Sequence, residues 1–287
     1  MQYTNKMGLD AALCRAIAHD PYTKEGDFSG SELPTPPQIR TLKLRYDGLI
    51  TVDVSDLIYP LLGNNTHYIL QRMGIKNGLQ EESFKWEVLD YIVSGRPDFY
   101  DEFHCLWDYK VTSRYVLISG VKWEWEAQTN IYAWLLQKYN FTVKDIKINC
   151  IFRDWSKIQA MKIPDYPKNQ VVVFPVTLWY FHDTYEYIVE RIELHKLAES
   201  LPDSKLPECT PEERWEKPTV YAVKKKGQKK AVRLLKSEKE AGEYIDTKHL
   251  DLSKHFIEMR KGESMRCEYY CDVSQFCHQY NTKIKEN

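Results

Sequence analysis

Nowhere does this sequence approach the roughly 20 consecutive apolar residues that a membrane-spanning helix needs. Its N-terminus, MQYTNKMGLDAALCRAIAHD, also lacks the unbroken apolar stretch of a secretory signal. These two absences predict a cytoplasmic protein without a membrane partner. An excess of charge of one sign is missing too: 40 Lys and Arg face 41 Asp and Glu, for a formal net charge of −1. A surface that is basic everywhere is thereby excluded, and any contact with nucleic acid has to come from local patches. No internal repeat is visible. What is present is an ordinary globular composition, 43% hydrophobic and 13% aromatic, which argues against disorder over most of the length. At 287 residues the chain can bury a full core, as one large domain or one domain with an appendage. Seven cysteines in a reducing compartment, an odd count, fit scattered core positions plus a metal or cluster site better than disulfides.

Glycines 26 and 30 and the Pro-rich ELPTPPQIR make residues 1–40 read as a loop or loosely packed leader with little chemistry. From Asp53, the apolar spacing in DVSDLIYPLLGNNTHYILQRM predicts a helix capped by Asp53 or Ser55 and interrupted or bent near Pro60, Gly63 and Asn64. Residues 83–112 read as three antiparallel strands, SFKWEVLDYIV, RPDFY and CLWDYKVT, with a turn near Asp101 and Glu102. Residues 123–139 form a helix with Ala127, Ile131, Trp134 and Leu135 on one side. The strands KDIKINCIFRDW and VVVFPV and a strong helix over 178–200 follow, an order that implies an α/β domain with a mixed sheet. Beyond residue 201, TVYAVKKKGQKKAVRLL reads as a hairpin turning at Gly227, and Ser237 and Glu240 have the spacing of a capping box.

Side chains two residues apart on a strand share a face, about 6.6 Å apart along the chain. Asp108 and Lys110 of CLWDYKVT therefore point one way, while Trp107, Tyr109 and Val111 point to the core. If the preceding strand brings Asp98 alongside, two adjacent carboxylates favour a hard divalent cation such as Mg²⁺ or Mn²⁺. A lysine beside that cation could orient water or stabilise charge on a phosphate, the minimal equipment for phosphodiester hydrolysis. The bland alternative is a solvent-facing strand with an ordinary Asp–Lys pair.

RPD followed ten residues later by DYK resembles the signature of the PD-(D/E)xK nuclease superfamily, and EAQTNIYAWLL is similar to the Gln-xxx-Tyr helix of its RecB-like branch. LLGNNTHYIL resembles the Gly-xxx-His helix of the same branch, and the four motifs occur in order over residues 55–140. The resemblance implies a restriction-endonuclease-like α/β core with a central mixed sheet flanked by helices. It implies that Asp98 and Asp108 are metal ligands, joined by His67 and the backbone carbonyl of Tyr109. Lys110 would be the catalytic lysine, supported with the DNA by Gln128 and Tyr132. Glu81 and Glu82 add acid nearby, but no spacing selects either one. The implied activity is a Mg²⁺- or Mn²⁺-dependent deoxyribonuclease, an exonuclease on single-stranded DNA or duplex ends in phage recombination, repair or DNA processing. Alternatives are a non-catalytic DNA-binding or scaffolding module of a recombination complex, and an endonuclease of the same fold. No helicase motif is present, so a motor or recombination partner would be a separate chain.

Cys267, Cys271 and Cys277 form C-x3-C-x5-C, with Cys209 as the natural fourth thiolate. Four soft ligands could hold Zn²⁺ or an iron–sulfur cluster, and spacing does not choose between them. RecB-like exonucleases of the AddB type and of CRISPR adaptation carry a four-cysteine [4Fe-4S] site with three ligands close together near the C-terminus, which this tail resembles. The first gap here is x3 rather than x2, and Cys209 follows the catalytic motifs instead of preceding them, an arrangement that resembles phage and prophage members. The implied role is structural, tying the C-terminal segment to the nuclease core. Cys14, Cys105 and Cys150 are expected in the core. Lys224, Lys225, Lys226, Lys229, Lys230 and Arg233 form the strongest positive cluster, able to follow a phosphate backbone or simply to solvate a turn. Trp123 and Trp125 could stack on bases or belong to the core. The expected organisation is an N-terminal loop and helical segment, 1–80, contributing His67; a nuclease core, 81–200; and a cysteine-bound segment, 201–287, packed on the core.

Overall fold

In a computed structural model that describes residues 1–19, 25–72, 74, 75 and 77–284, the chain separates into two units, Met1–Leu201 and Pro202–Asn287. The first runs β1 (Gln2–Thr4), α1 (Ala11–Ala18), β2 (Phe28–Ser29), α2 (Pro37–Tyr46), β3 (Thr51–Asp53), α3 (Ile58–Gln71), β4 (Gly78–Gln80), β5 (Phe84–Val88) and β6 (Tyr91–Gly95). It continues with β7 (Phe99–Asp101), β8 (Cys105–Thr112), α4 (Val116–Ser119), α5 (Trp123–Lys138), β9 (Asp145–Phe152), α6 (Lys157–Lys162), β10 (Val171–Val176) and α7 (Phe181–Ser200).

The central sheet has the order β10-β9-β8-β7-β4. β8 and β9 are parallel, in register from Cys105–Asp145 to Thr112–Phe152, and the other pairs are antiparallel, so the sheet is mixed and the fold α/β. A parallel pair needs a crossover, and α5 provides it. Ile131, Trp134, Leu135 and Leu136 of α5 are fully buried in one cluster with Leu106, Ile146 and Ile148 of the sheet. A second sheet, β2-β6-β5, lies beside the same helix, where Phe28, Val93 and Phe84 join the cluster.

Four local expectations need correction. The stretch 83–93 is a hairpin, not one strand: Val88 pairs with Tyr91 across a two-residue turn in which Leu89 and Asp90 both have positive φ, 52° and 64°. That conformation usually carries Asn or Gly, so Leu89–Asp90 carries no turn signal. The described residues among 1–40 are not a loose leader, since β1 pairs with β3, β2 extends the second sheet, and Phe28 and Leu33 are buried; residues 20–24 lie outside the described ones. α3 runs unbroken because Pro60 falls in its first turn, where its missing N–H costs nothing. Finally, the two faces of β8 are exchanged. Leu106, Asp108 and Thr112 are buried, whereas Trp107, Tyr109 and Val111 are only half-buried. Cys105 and Cys150 are buried as expected, but Cys14 on α1 is not in the core.

The second unit contains β11 (Glu216–Lys217), β12 (Val220–Lys225), β13 (Arg233–Leu235), α8 (Glu238–Thr247), β14 (His255–Arg260), β15 (Glu263–Ser264) and α9 (Met265–Tyr269). β12 is the centre of an antiparallel sheet, β13-β12-β14, and β11 pairs with β15. The predicted hairpin turns through Gly227 at φ 80°. Ser237 Oγ accepts from the Glu240 amide at 3.2 Å as the N-cap, while the Glu240 carboxylate accepts from the amide of Lys236, one residue before the capping-box position, at 3.1 Å. A small cluster of Val223, Ala241 and Ile245 forms the core of α8 on this sheet. Among the described residues, no helix is long and apolar enough to cross a membrane.

Candidate metal centre

β8 sets the centre of the site. Asp108 and Lys110 share the face covered by α5, and Asp108 is 1% exposed. The Lys110 ammonium lies 3.2 Å from Asp108 Oδ1 and 3.0 Å from Oδ2. Only Oδ1 is in hydrogen-bonding alignment, so Oδ2 is a buried acceptor without a hydrogen bond. On α5, Gln128 and Tyr132 lie one turn apart. Lys110 Nζ donates to Gln128 Oε1 at 3.0 Å, and Gln128 Nε2 donates to the Tyr132 hydroxyl at 2.9 Å. Tyr132 lies flat against two glycines: a Cβ at Gly30 or at Gly95 would come within 2.7 or 2.8 Å of its ring. The close approach of β2 and β6 to α5 thus fixes the ring that holds Gln128, and through it the lysine.

Asp98 lies not within a strand but in the link from β6 to β7, where the chain passes from one sheet to the other. Its Oδ2 accepts from the Tyr109 amide at 2.7 Å. β7 pairs with β8 only through Phe99–Trp107 and Tyr100–Leu106, so beyond Trp107 this edge of β8 is open to the Asp98 side chain. The N–H and C=O of a strand residue point to the same edge, which puts the Tyr109 carbonyl on the Asp98 side. His67, from α3, has Nδ1 3.3 Å from Asp98 Oδ1 and 3.4 Å from Glu81 Oε1.

Glu81 is the residue that sequence reasoning passed over. Its side chain is 6% exposed, its backbone takes φ 54°, and its amide donates to the Asp98 carbonyl at 3.3 Å. The positive φ turns it inward from the end of β4, a twist that its position in a Glu-Glu pair does not announce. Among the described residues, His67, Glu81 and Asp98 are the one group of three or more potential metal ligands whose ligand atoms all lie within 4.8 Å of each other. Asp108 stands outside that group, beside Lys110.

The charges are mutually arranged. Burial opposes the charge on His67, but its contacts with Asp98 and Glu81 prevail and raise its pKa to about 10. Burial pushes Asp108 up, with Lys110 pulling the other way. Burial likewise opposes the Lys110 charge, yet Asp108 and Asp98 hold the ammonium above its ordinary value. His67⁺ and Lys110⁺ therefore balance the charge of these carboxylates from within the chain. A cavity of about 640 Å³ opens onto the group, lined among others by Glu25, Ser31, His67, Glu81, Asp98 and Lys110.

In the second unit, the four predicted cysteines come together. Burial raises the Cys209 thiol, followed by Glu213 and then by Cys277 and Cys267. Burial, then Cys271 and Cys277, raises Cys267 to about 11. Gln279, 4% exposed, grips Cys209 on both sides, accepting from its amide at 3.0 Å and donating to its carbonyl at 2.9 Å. The Tyr280 amide points at Cys277 Sγ, 3.4 Å away.

Of the six basic residues, Lys225, Lys226, Lys229, Lys230 and Arg233 are exposed. Lys224 is instead engaged with Glu258 at 2.9 Å and is only 17% exposed, because its position on β12 turns it onto the sheet face. Trp125 packs against the main core, and the half-exposed Trp123 stacks on Trp179 at 5.2 Å, so neither ring stands alone.

No protein-family model matches the chain, and no curated protein does. Among solved structures it is similar to one described as "Crystal structure of SSO0001", at 18% identity over 64% of this chain and 84% of that one, with a TM-score of 0.44. A likeness at that level carries no argument about what this chain does.

Proposed function

We propose that the chain is a metal-dependent DNA nuclease with a restriction-endonuclease-like core, acting as an exonuclease on single-stranded DNA or duplex ends. One observation carries this reading: a His67–Glu81–Asp98 ligand group adjoins a buried Asp108–Lys110–Gln128 chain at the wall of a single cavity. The three oxygen and nitrogen donors of His67, Glu81 and Asp98, all within 4.8 Å of one another, fit a hard divalent ion. Mg²⁺ or Mn²⁺ would be held by His67, Glu81, Asp98 and Asp108 with the Tyr109 carbonyl, and would supply Lewis-acid polarisation of a phosphodiester. The chain's own residues do the rest. Asp98, fixed by the Tyr109 amide, keeps one oxygen turned to the ligand group. Gln128 holds Lys110 at the cavity wall, where its ammonium orients water or meets charge developing on phosphate oxygen. Tyr132 keeps Gln128 in place.

Cys209, Cys267, Cys271 and Cys277 would be the ligands of a [4Fe-4S] cluster in the second unit, with a single Zn²⁺ as the alternative at the same four thiols. Absorption near ~400 nm in anaerobically purified protein would support the cluster. The activity is tested by digesting end-labelled linear and circular DNA with Mg²⁺ or Mn²⁺, with Asp108→Ala as control. Loss of linear but not circular DNA, absent in the variant, is the expected result. A parent protein that leaves every substrate intact would replace the enzyme with a DNA-binding or scaffolding module.

A further inference from the structure

Glu25 lies on the wall of the metal-site cavity and engages three donors at once. Its Oε2 accepts from Ser83 Oγ at 2.8 Å and lies 2.9 Å from Lys85 Nζ, and its Oε1 accepts from Arg96 Nη2 at 3.0 Å. Glu25, Ser83 and Arg96 line the same cavity as His67, Glu81, Asp98 and Lys110. All three charged partners keep partial contact with water, with side chains 30 to 47% exposed. The fork is not buried within the core.

Arg96 is two residues ahead of Asp98 in the link between β6 and β7. Pro97 disfavours helical backbone at Arg96 and holds it extended, so the two positions lie about 6.6 Å apart along the chain. That is the scale of one nucleotide step. A phosphodiester placed at Asp98 therefore brings its neighbouring phosphate to Arg96. The guanidinium fork that meets a carboxylate meets a phosphate with the same geometry, and Lys85 and Ser83 add an ammonium and a hydroxyl to it. Ser29, Ser31 and Ser94 line the same wall with further hydroxyls.

We propose that Arg96, with Lys85 and Ser83, forms the subsite for the phosphate next to the scissile bond, and that Glu25 is its internal anionic stand-in, displaced as the strand enters. This rests on the nuclease reading for the identity of the polymer. A purely architectural ion pair, tying residues 25–33 to β5 and β6, makes the opposite prediction for Glu25: its loss would loosen the wall and weaken binding. A stand-in competes with substrate, so its loss strengthens binding.

The test is fluorescence anisotropy of a labelled short oligothymidylate with the full chain in Ca²⁺, with gel analysis of the same samples, and KM and kcat in Mn²⁺. Arg96→Ala is expected to weaken binding about tenfold or more, the loss of one charge-assisted bond. Glu25→Gln is expected to tighten it severalfold. Arg96→Lys keeps charge but loses the fork, and should raise KM with kcat little changed. Unchanged or weakened binding by Glu25→Gln, or unchanged binding by Arg96→Ala, overturns the subsite. If Glu25→Gln does not fold, Arg96→Lys decides alone, and an unchanged KM and affinity overturn it. A parent that binds and responds as stated but cleaves nothing removes the nuclease and keeps the subsite. A parent that cleaves without responding keeps the nuclease and removes the subsite, and one that neither binds nor cleaves overturns both.

Discussion

The carboxylate site of the first unit and the cysteine site of the second hold their shape by different means. Around Asp98, Glu81 and Asp108 the chain supplies its own cations, His67 from α3 and Lys110 from β8, at the wall of one cavity. At the cysteine site, Cys209, Cys267 and Cys277 have thiol pKa values raised chiefly by burial, in a unit whose separate core is Val223, Ala241 and Ile245 with a few partly buried neighbours. A site neutralised by internal ion pairs is assembled before any metal arrives. A site of neutral thiols takes its cohesion from the group that binds, because binding energy there is folding energy. Removing the metal should therefore cost activity, and removing the cluster should cost structure.

The largest effect expected is catalytic. Asp108→Asn keeps the shape of the buried side chain and removes its charge, so cleavage should fall by about 10³-fold or more. The chelated variant should melt within a few degrees of the chelated parent. Glu81→Gln should lower activity at subsaturating Mg²⁺ by about tenfold to a hundredfold, the scale of a lost contact near the metal. Glu82→Gln, in the adjacent position, should leave it unchanged. Equal effects of the two would remove Glu81 from the ligand group.

On the other side of the comparison, Cys267→Ser with Cys271→Ser should cost the second unit several kcal/mol, enough to unfold a small unit. Limited proteolysis is the measurement: cuts should concentrate after residue 201, while the fragment 1–201 survives and keeps its melting transition. If the doubly substituted chain resists protease throughout, the second unit has a core of its own and the contrast between the sites fails.

The internal cations also give the first site a pH signature. His67 has its folded pKa raised from 6.5 to about 10. Its stabilisation is therefore complete below about pH 6.5 and disappears as pH rises toward 10. With chelator present, stability should fall across that interval by up to about 3 kcal/mol, after allowance for partial solvent screening. His67→Gln should flatten the profile. With Mg²⁺ the sign reverses for binding, since the ion must displace the imidazole proton: affinity should rise with pH and calorimetry in two buffers should detect a released proton.

How much of this was legible in the sequence depended on whether chemistry or backbone geometry carried the signal. Asp108 and Lys110, with Asp98 nearby, could be picked out from strand periodicity, whereas His67, Gln128 and Tyr132 could be picked out only because their motifs resemble those of the RecB-like nuclease branch. The mixed α/β character followed from the order of apolar segments, but the five-strand order, with Gly78–Gln80 at its edge, did not. Glu81 was missed because its inward turn comes from a positive φ that Glu seldom adopts. The reversal at Leu89–Asp90 was missed for the same reason, and with it the break between the two sheets that places Asp98 in a link rather than a strand. The faces of β8 were exchanged because alternation assigns polar residues to solvent, whereas here Gln128 and Tyr132 of α5 supply partners for a polar pair on the core side. Residues 25–33 looked like a leader because their buried anchors, Phe28 and Leu33, are too few to show a period.

The smallest expected effect separates residues of like charge in the second unit. Lys229 and Lys230 stand exposed beyond the Gly227 turn, while Lys224 lies against Glu258 and over the Phe256 ring at 5.8 Å. If the hairpin follows a phosphate backbone, each exposed lysine contributes about 0.7 to the slope of log affinity against log salt for a single strand. Lys229→Ala with Lys230→Ala should lower that slope by about 1.4, uniformly across sequences, with the cleavage rate at saturating DNA unchanged. Lys224→Ala should leave the slope alone and instead destabilise the second unit, because Glu258 loses a partner on β14. A slope that responds to Lys224 and not to the exposed pair would mean that DNA meets the sheet face rather than the hairpin tip. The second unit would then share its binding surface with its own internal ion pair, as the cavity wall of the first unit does at Glu25.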